Sequence, residues 1–228
     1  MAVACLLGSI YLAQWGYEES FLRLNALSTD FLDQLMPHWT HLAEGAILSG
    51  VLILTLLFRR PALAITVAMG MIGLALVVAV LKQGVFPDWD RPALVFPMEQ
   101  IRFLSLGQER HFSFPSGHST VAGALYAFLC FSAPLRGAGW GIGWALLALS
   151  IAYTRIYIGV HFLGDVIAGV VLGCVIASVC LWYVYPFVER WTLSLKGNHL
   201  QTLRWCMVGL SLFLIVFATY ELVQTYYL

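Results

Sequence analysis

His161 and Asp165 stand four residues apart in the stretch TRIYIGVHFLGD, residues 154–165, and His118 follows directly on the turn Pro115-Ser116-Gly117. If a helix begins near His161, these two side chains share a face, and the carboxylate accepts a hydrogen bond from one imidazole nitrogen. The other nitrogen keeps its lone pair, as in an activated nucleophile. Arg91 and Arg155 supply guanidinium forks that suit phosphate oxygens, and Lys82 adds a third positive charge. The Pro115-Ser116-Gly117 turn offers a hydroxyl and backbone N–H groups where an apolar segment begins, a ready anion site at a helix N-terminus. This set favours attack on phosphorus over attack on carbon. His118 is then placed to protonate a leaving alkoxide and, once neutral, to deprotonate the water that hydrolyses a phosphohistidine. Electrostatic stabilisation would carry most of the catalysis. No acidic cluster offers a metal cage, so neither a metal nor another cofactor is expected.

These polar groups must be positioned by an apolar chain. Of 228 residues, 61% are hydrophobic and 11% charged, with a mean hydropathy of +0.84. That balance excludes an ordinary soluble domain and predicts an all-α, polytopic transmembrane bundle. The expected spans are the apolar runs at 1–15, 43–58, 62–82, 117–135, 138–158, 162–186 and 203–226. No Lys or Arg precedes Arg23, so the first run reads as a short or truncated span and not as a secretory signal peptide. Phe21, Leu24, Phe31 and Leu35 recur near helical spacing among charged residues, which predicts an amphipathic interfacial helix. Gly169 and Gly173 predict a close helix contact, and the Tyr and Trp residues at 182–185 and 226–227 predict interfacial anchors. Cys5, Cys130, Cys174, Cys180 and Cys206 lie in or beside apolar runs without metal or redox spacing and read as packing residues.

Formal net charge is zero, which selects no nucleic-acid partner, but the distribution of cations orients the chain. If the Arg59-Arg60 loop is cytoplasmic, that side also holds Arg136, Arg190, Lys196 and Arg204; the other side holds Arg23, Lys82, Arg91, Arg102, Arg110 and Arg155. The two sides tie until Lys82, Arg91 and Arg155, which have a chemical reason for their place, are set aside. The 83–116 loop is therefore expected to face outward, with Arg102 and Arg110 as solvated loop charges and Asp88 and Asp90 pairing with Arg91 or turning the loop.

Together the three polar stretches resemble the signature of the type 2 phosphatidic acid phosphatase superfamily, the lipid phosphate phosphatases, which also includes vanadium haloperoxidases. Lys82 to Arg91-Pro92 corresponds to its first part, Pro115-Ser116-Gly117-His118 is identical to its second, and Arg155, His161 and Asp165 keep the spacing of its third, with Thr154 where serine is usual. The first part departs from the pattern: Gln83 to Asp90 places eight residues before Arg91-Pro92, where the family usually has six. The resemblance implies His161 as nucleophile, Asp165 as its orienting partner, His118 as acid, and Arg91, Arg155, Ser116, Gly117 and Lys82 as the phosphate-binding set. It also implies a six-span core over 1–186, followed at 187–228 by a cytoplasmic loop and one additional transmembrane helix. The expected partners are the lipid bilayer and a lipid phosphate substrate: phosphatidylglycerophosphate, phosphatidic acid, undecaprenyl diphosphate or lipid A phosphate. The expected setting is a bacterial inner membrane with the site facing outward. A lipid phosphotransferase and a non-catalytic anion-binding transporter are the alternatives.

Overall fold

The computed structural model describes residues 1–105, 111–132 and 138–227, and every regular element among them is helical. Arg110, Arg136 and the side chains of Tyr226 and Tyr227 lie outside the described residues. The elements are α1 (Ala2–Trp15), α2 (Tyr17–Asn25), α3 (Asp30–Trp39), α4 (Gly45–Leu57), α5 (Pro61–Val80), α6 (Pro92–Val95), α7 (Gly117–Ser132), α8 (Ala138–Tyr157), α9 (Leu163–Val179), α10 (Tyr185–Ser194) and α11 (Gly197–Tyr227). A 3-10 turn at Thr40–Ala43 joins α3 to α4, and wide π turns extend α5 through Leu81–Val85 and α9 through Cys180–Val184.

Among the described residues, three continuous helical stretches are long and apolar enough to cross a bilayer: Pro61–Val85, Leu163–Ser194 and Gly197–Gln224. A fourth arises if Asp30–Ala43 and Gly45–Leu57, bent by 60° at their junction, count as one span. The chain is an integral membrane protein. α1, with 14 residues, reaches only about 21 Å, short of the hydrocarbon thickness. Three expectations need correction. The run 43–58 does not span by itself, because its helix α4 has only 13 residues and reaches span length only together with Asp30–Ala43 across the 60° bend at Glu44. The interfacial helix divides at residues 26–29, where the Thr29 hydroxyl accepts from the N–H of Leu32 and caps α3. The boundary at 186 falls inside a helix, since the π turn carries α9 on into α10 as far as Ser194. π turns keep the backbone bonded while absorbing the extra residue, so the chain stays helical through Ser194 and breaks only at 195–196.

The centre of the bundle is the contact of α7 with α9. A Cβ at Gly173 would lie 1.9 Å from the carbonyl oxygen of Thr120, one at Gly123 2.2 Å from that of Val170, and one at Gly169 2.6 Å from that of Ser116. The two backbones touch directly, as the Gly169 and Gly173 spacing predicted. α8 packs on the other side of α7, burying Ala148 and Ile151 against Leu125 and Phe128. α11 lies along α4, where Gly50 admits Ile215 and the Ser211 carbonyl. At the N-terminal end, Phe21 stacks on Phe96 at 5.8 Å and meets Phe162 edge-on at 5.3 Å. Trp182 and Tyr183 are exposed on the bundle surface, as anchors require.

Replacing Gly173 by Ala should force α7 from α9 and destabilise the protein by about 1–3 kcal/mol, the usual cost of overpacking. Thermal unfolding in detergent measures it. Gly139→Ala, where a Cβ meets nothing within 4 Å, should cost nothing.

Candidate active site

Four segments converge where α7 and α9 begin. α8 ends in a turn in which the carbonyl of Arg155 accepts from the N–H groups of both Val160 and His161, at 3.1 and 3.2 Å. Gly159 makes that turn with φ +82°, and a Cβ there would strike the Arg102 carbonyl at 2.4 Å. α9 then starts at Leu163, and Asp165 reaches back to accept from the N–H of Phe162 at 3.0 Å. The backbone carbonyl of Asp165 accepts from the N–H of Ser116 at 3.1 Å, which ties the start of α9 to the start of α7.

The Asp165 side chain is fully buried and accepts from several donors. Tyr17 donates to Oδ1 at 2.5 Å, and Ser113 donates to Oδ2 at 2.6 Å. His161 Nδ1 lies 3.4 Å from Oδ2 and 3.2 Å from Ser113 Oγ. Because the single hydroxyl proton of Ser113 goes to Asp165, its oxygen can only accept from His161, so Nδ1 carries the hydrogen. Nε2 is left with the lone pair. Burial disfavours the charged imidazolium and holds the His161 pKa below its ordinary value. Histidine is thus neutral, oriented and nucleophilic in form.

His161 joins the wall of a cavity of about 710 Å³ together with Lys82, Arg91, Gly117, His118 and Arg155. Most of the residues expected from the sequence are therefore brought to one space. Arg155 Nη1 donates to Thr40 at 2.7 Å and Arg91 Nε to the carbonyl of His111 at 3.1 Å, which fixes both guanidinium groups. The Lys82 ammonium donates to the carbonyl of Phe112, so the longer spacing before Arg91 still delivers it to the cavity wall. Two expected residues stand behind the wall: Asp165, as its supporting role requires, and Ser116. Ser116 is fully buried, and its oxygen accepts from Ser119 Oγ at 2.9 Å. The adjoining Gly117 presents backbone at the cavity instead. Two loop charges differ from expectation as well: Asp90 pairs with His111 at 2.8 Å, and Arg102 forms an ion pair with Asp33 and donates to Ser28 at 2.7 Å. The wall also has an apolar stretch, formed by Leu74, Ala75, Val78 and Ala79 of α5.

Tyr17, Thr40, Glu44 and Ser113 were not legible as site residues. Each is an ordinary polar residue in sequence; only Gly164, whose absent side chain leaves room for the Tyr17 ring at 2.3 Å from a Cβ position, hinted at a neighbour.

The sequence profile of the PAP2 superfamily matches residues 61–189, more than half of the chain and all of the cavity's cationic and histidine residues. The chain belongs to the PAP2 superfamily. It is 37% identical over 81 residues to a lipid A 4'-phosphatase of Porphyromonas gingivalis, covering 35% of this chain and 33% of that protein. It is 35% identical over 85 residues to phosphatidylglycerophosphatase B of Bacillus subtilis, covering 33% of this chain and 42% of that protein. These curated relatives are thus matched over less than half of their own length. The crystal structure of Aquifex aeolicus LpxE superposes with a TM-score of 0.64 at 26% identity, covering 73% of this chain and 95% of that one. In this PAP2 chain the similarity therefore extends across the bundle that carries the cavity.

Orthovanadate, a tetrahedral oxyanion, should bind this cavity. Arg155→Ala should weaken it about 10-fold or more by removing a charge-assisted hydrogen bond, whereas Arg23→Ala, on an exposed pair with Glu19, should not. Isothermal titration with both variants checks this.

Proposed function

We propose that this PAP2 protein is a membrane phosphatase that hydrolyses a lipid phosphate monoester or diphosphate through a phosphohistidine at His161. The observation that carries the reading is the hydrogen-bond order around His161: Nδ1 is held by Asp165 and Ser113, which leaves a lone pair on Nε2 beside Arg91, Arg155 and His118. Nε2 attacks phosphorus, the P–O bond to the leaving group breaks, and His118 gives its proton to the departing oxygen. His118, now neutral, takes a proton from water; the hydroxide attacks phosphorus, the P–N bond breaks, and inorganic phosphate leaves. Arg91, Arg155, Lys82 and the backbone at Gly117 meet the charge on the equatorial oxygens, so the reaction runs without a metal.

A lipid phosphate fits the lining of the cavity, which joins cations and histidines with an apolar stretch of α5 in one space. Names of relatives support lipid A phosphate and phosphatidylglycerophosphate as candidates, with phosphatidic acid and undecaprenyl diphosphate sharing the same chemistry. We place the protein in a bacterial inner membrane with the cavity on the outer side, a reading supported by the excess of Lys and Arg at the opposite loops once Lys82, Arg91 and Arg155 are set aside. In this reading the helices up to α10 form the catalytic domain, and α11 is an added helix that braces α4.

Purified protein in detergent with chelator present should release phosphate from one or more of these lipids. His161→Ala and His118→Ala should each lose at least about 1,000-fold, and Asp165→Asn should lose nearly as much because the tautomer is no longer held. Vanadate should inhibit. Undiminished release by His161→Ala, or loss of activity in chelator, would remove the mechanism; phosphate appearing on an added lipid in place of water would make the protein a phosphotransferase.

A further inference from the structure

We propose that Glu44 is a positioning residue whose charge favours the protonated form of His118 for leaving-group departure; this rests on the phosphatase reading above. Glu44 sits at the 60° break between the 3-10 turn and α4, as the N-cap residue of α4. A short polar side chain at that position ordinarily accepts from the first backbone N–H groups of its helix. Here its side chain makes no capping bond. Instead Oε2 lies 3.7 Å from Nε2 of His118, and both side chains are only about one-third exposed, at 35% and 28%. Among the described residues Glu44 is the only carboxylate on the cavity wall.

A negative charge in a pocket built for phosphate weakens substrate binding, so its place there calls for a compensating role. The other groups facing His118 identify one. Arg155 approaches from α8, Arg91 from the loop before α6, Lys82 from the π turn after α5, His161 from the turn before α9, His41 from the 3-10 turn and His111 from the loop before α7. Burial and the arginines disfavour a proton on His118, and the imidazoles do so whenever they are charged. Among the described wall groups, Glu44 is the one whose charge favours it. At 3.7 Å the two groups are within ion-pair range but beyond hydrogen-bond range, so Glu44 acts through its field and consumes no imidazole N–H. The proton that leaves His118 with the departing oxygen returns from the attacking water, and Glu44 stays ionised through both half-reactions.

The role has a kinetic signature that a structural role lacks. In Glu44→Gln, with the lipid phosphate that wild type cleaves fastest, the alkaline limb of kcat/KM should move to lower pH by about one unit, because the protonated acid is lost earlier. Glu44→Asp should restore much of the shift. p-Nitrophenyl phosphate, whose leaving group departs with little protonation, should be affected several-fold less than the lipid. Vanadate should inhibit Glu44→Gln at least as strongly as wild type, since an opposing charge has gone, and this also reports an intact pocket. An alkaline limb that stays in place, or loss of vanadate inhibition together with activity, would overturn the proposal. Wild type that releases no phosphate from any lipid removes the phosphatase reading itself, and the role of Glu44 with it.

Discussion

The buried carboxylate of Asp165 is the constraint on which the site depends. An ionised group away from water is tolerated only when its lone pairs are met, and the groups that surround Asp165 come from three separate parts of the chain. Tyr17 opens α2, Ser113 belongs to the loop before α7, and His161 and Phe162 form the turn between α8 and α9. Satisfying one carboxylate therefore assembles the N-terminal region, the loop before α7 and the α8–α9 turn at one point. The same set of bonds decides which imidazole nitrogen bears hydrogen, so folding and chemistry share one interaction.

The direct backbone contact of α7 and α9 provides the second level of control. Because Gly123, Gly169 and Gly173 bring the two helix axes close, the N–H of Ser116 reaches the carbonyl of Asp165, and His118 is carried on the same rigid pair as the histidine it must work with. Helices of ordinary composition would stand about 8–10 Å apart and leave such a bond unmade. Small residues in this chain are thus part of the site's geometry although none of their side chains performs chemistry.

Charge placement explains why the cavity can serve an amphiphile. Arg91 and Arg155 are mostly buried, and each is held by a partner of the protein's own, the His111 carbonyl and the Thr40 hydroxyl. Both line the space shared with His161, to which α5 contributes only aliphatic groups. A cationic end and an apolar side within one enclosure match a phosphate attached to a hydrocarbon tail better than a wholly water-soluble ester.

Composition and spacing alone determined the membrane class, the helical fold, the helix contact at Gly169 and Gly173, and the gathering of Arg91, His118, Arg155 and His161 at one cavity. These are legible because apolar runs of span length suit a bilayer and little else, and because ionisable residues set among such runs are too costly to persist without a role. Tertiary structure alone decided the remainder. It turned Ser116 inward beneath the start of α7, bent the second apolar run at Glu44, carried α9 past residue 186, and brought Tyr17, Thr40 and Ser113 to the carboxylate, the arginine and the histidine they hold. Those residues are distant in sequence and common in type, and their roles arise only when a buried charge must find donors among whatever the packed helices place within reach.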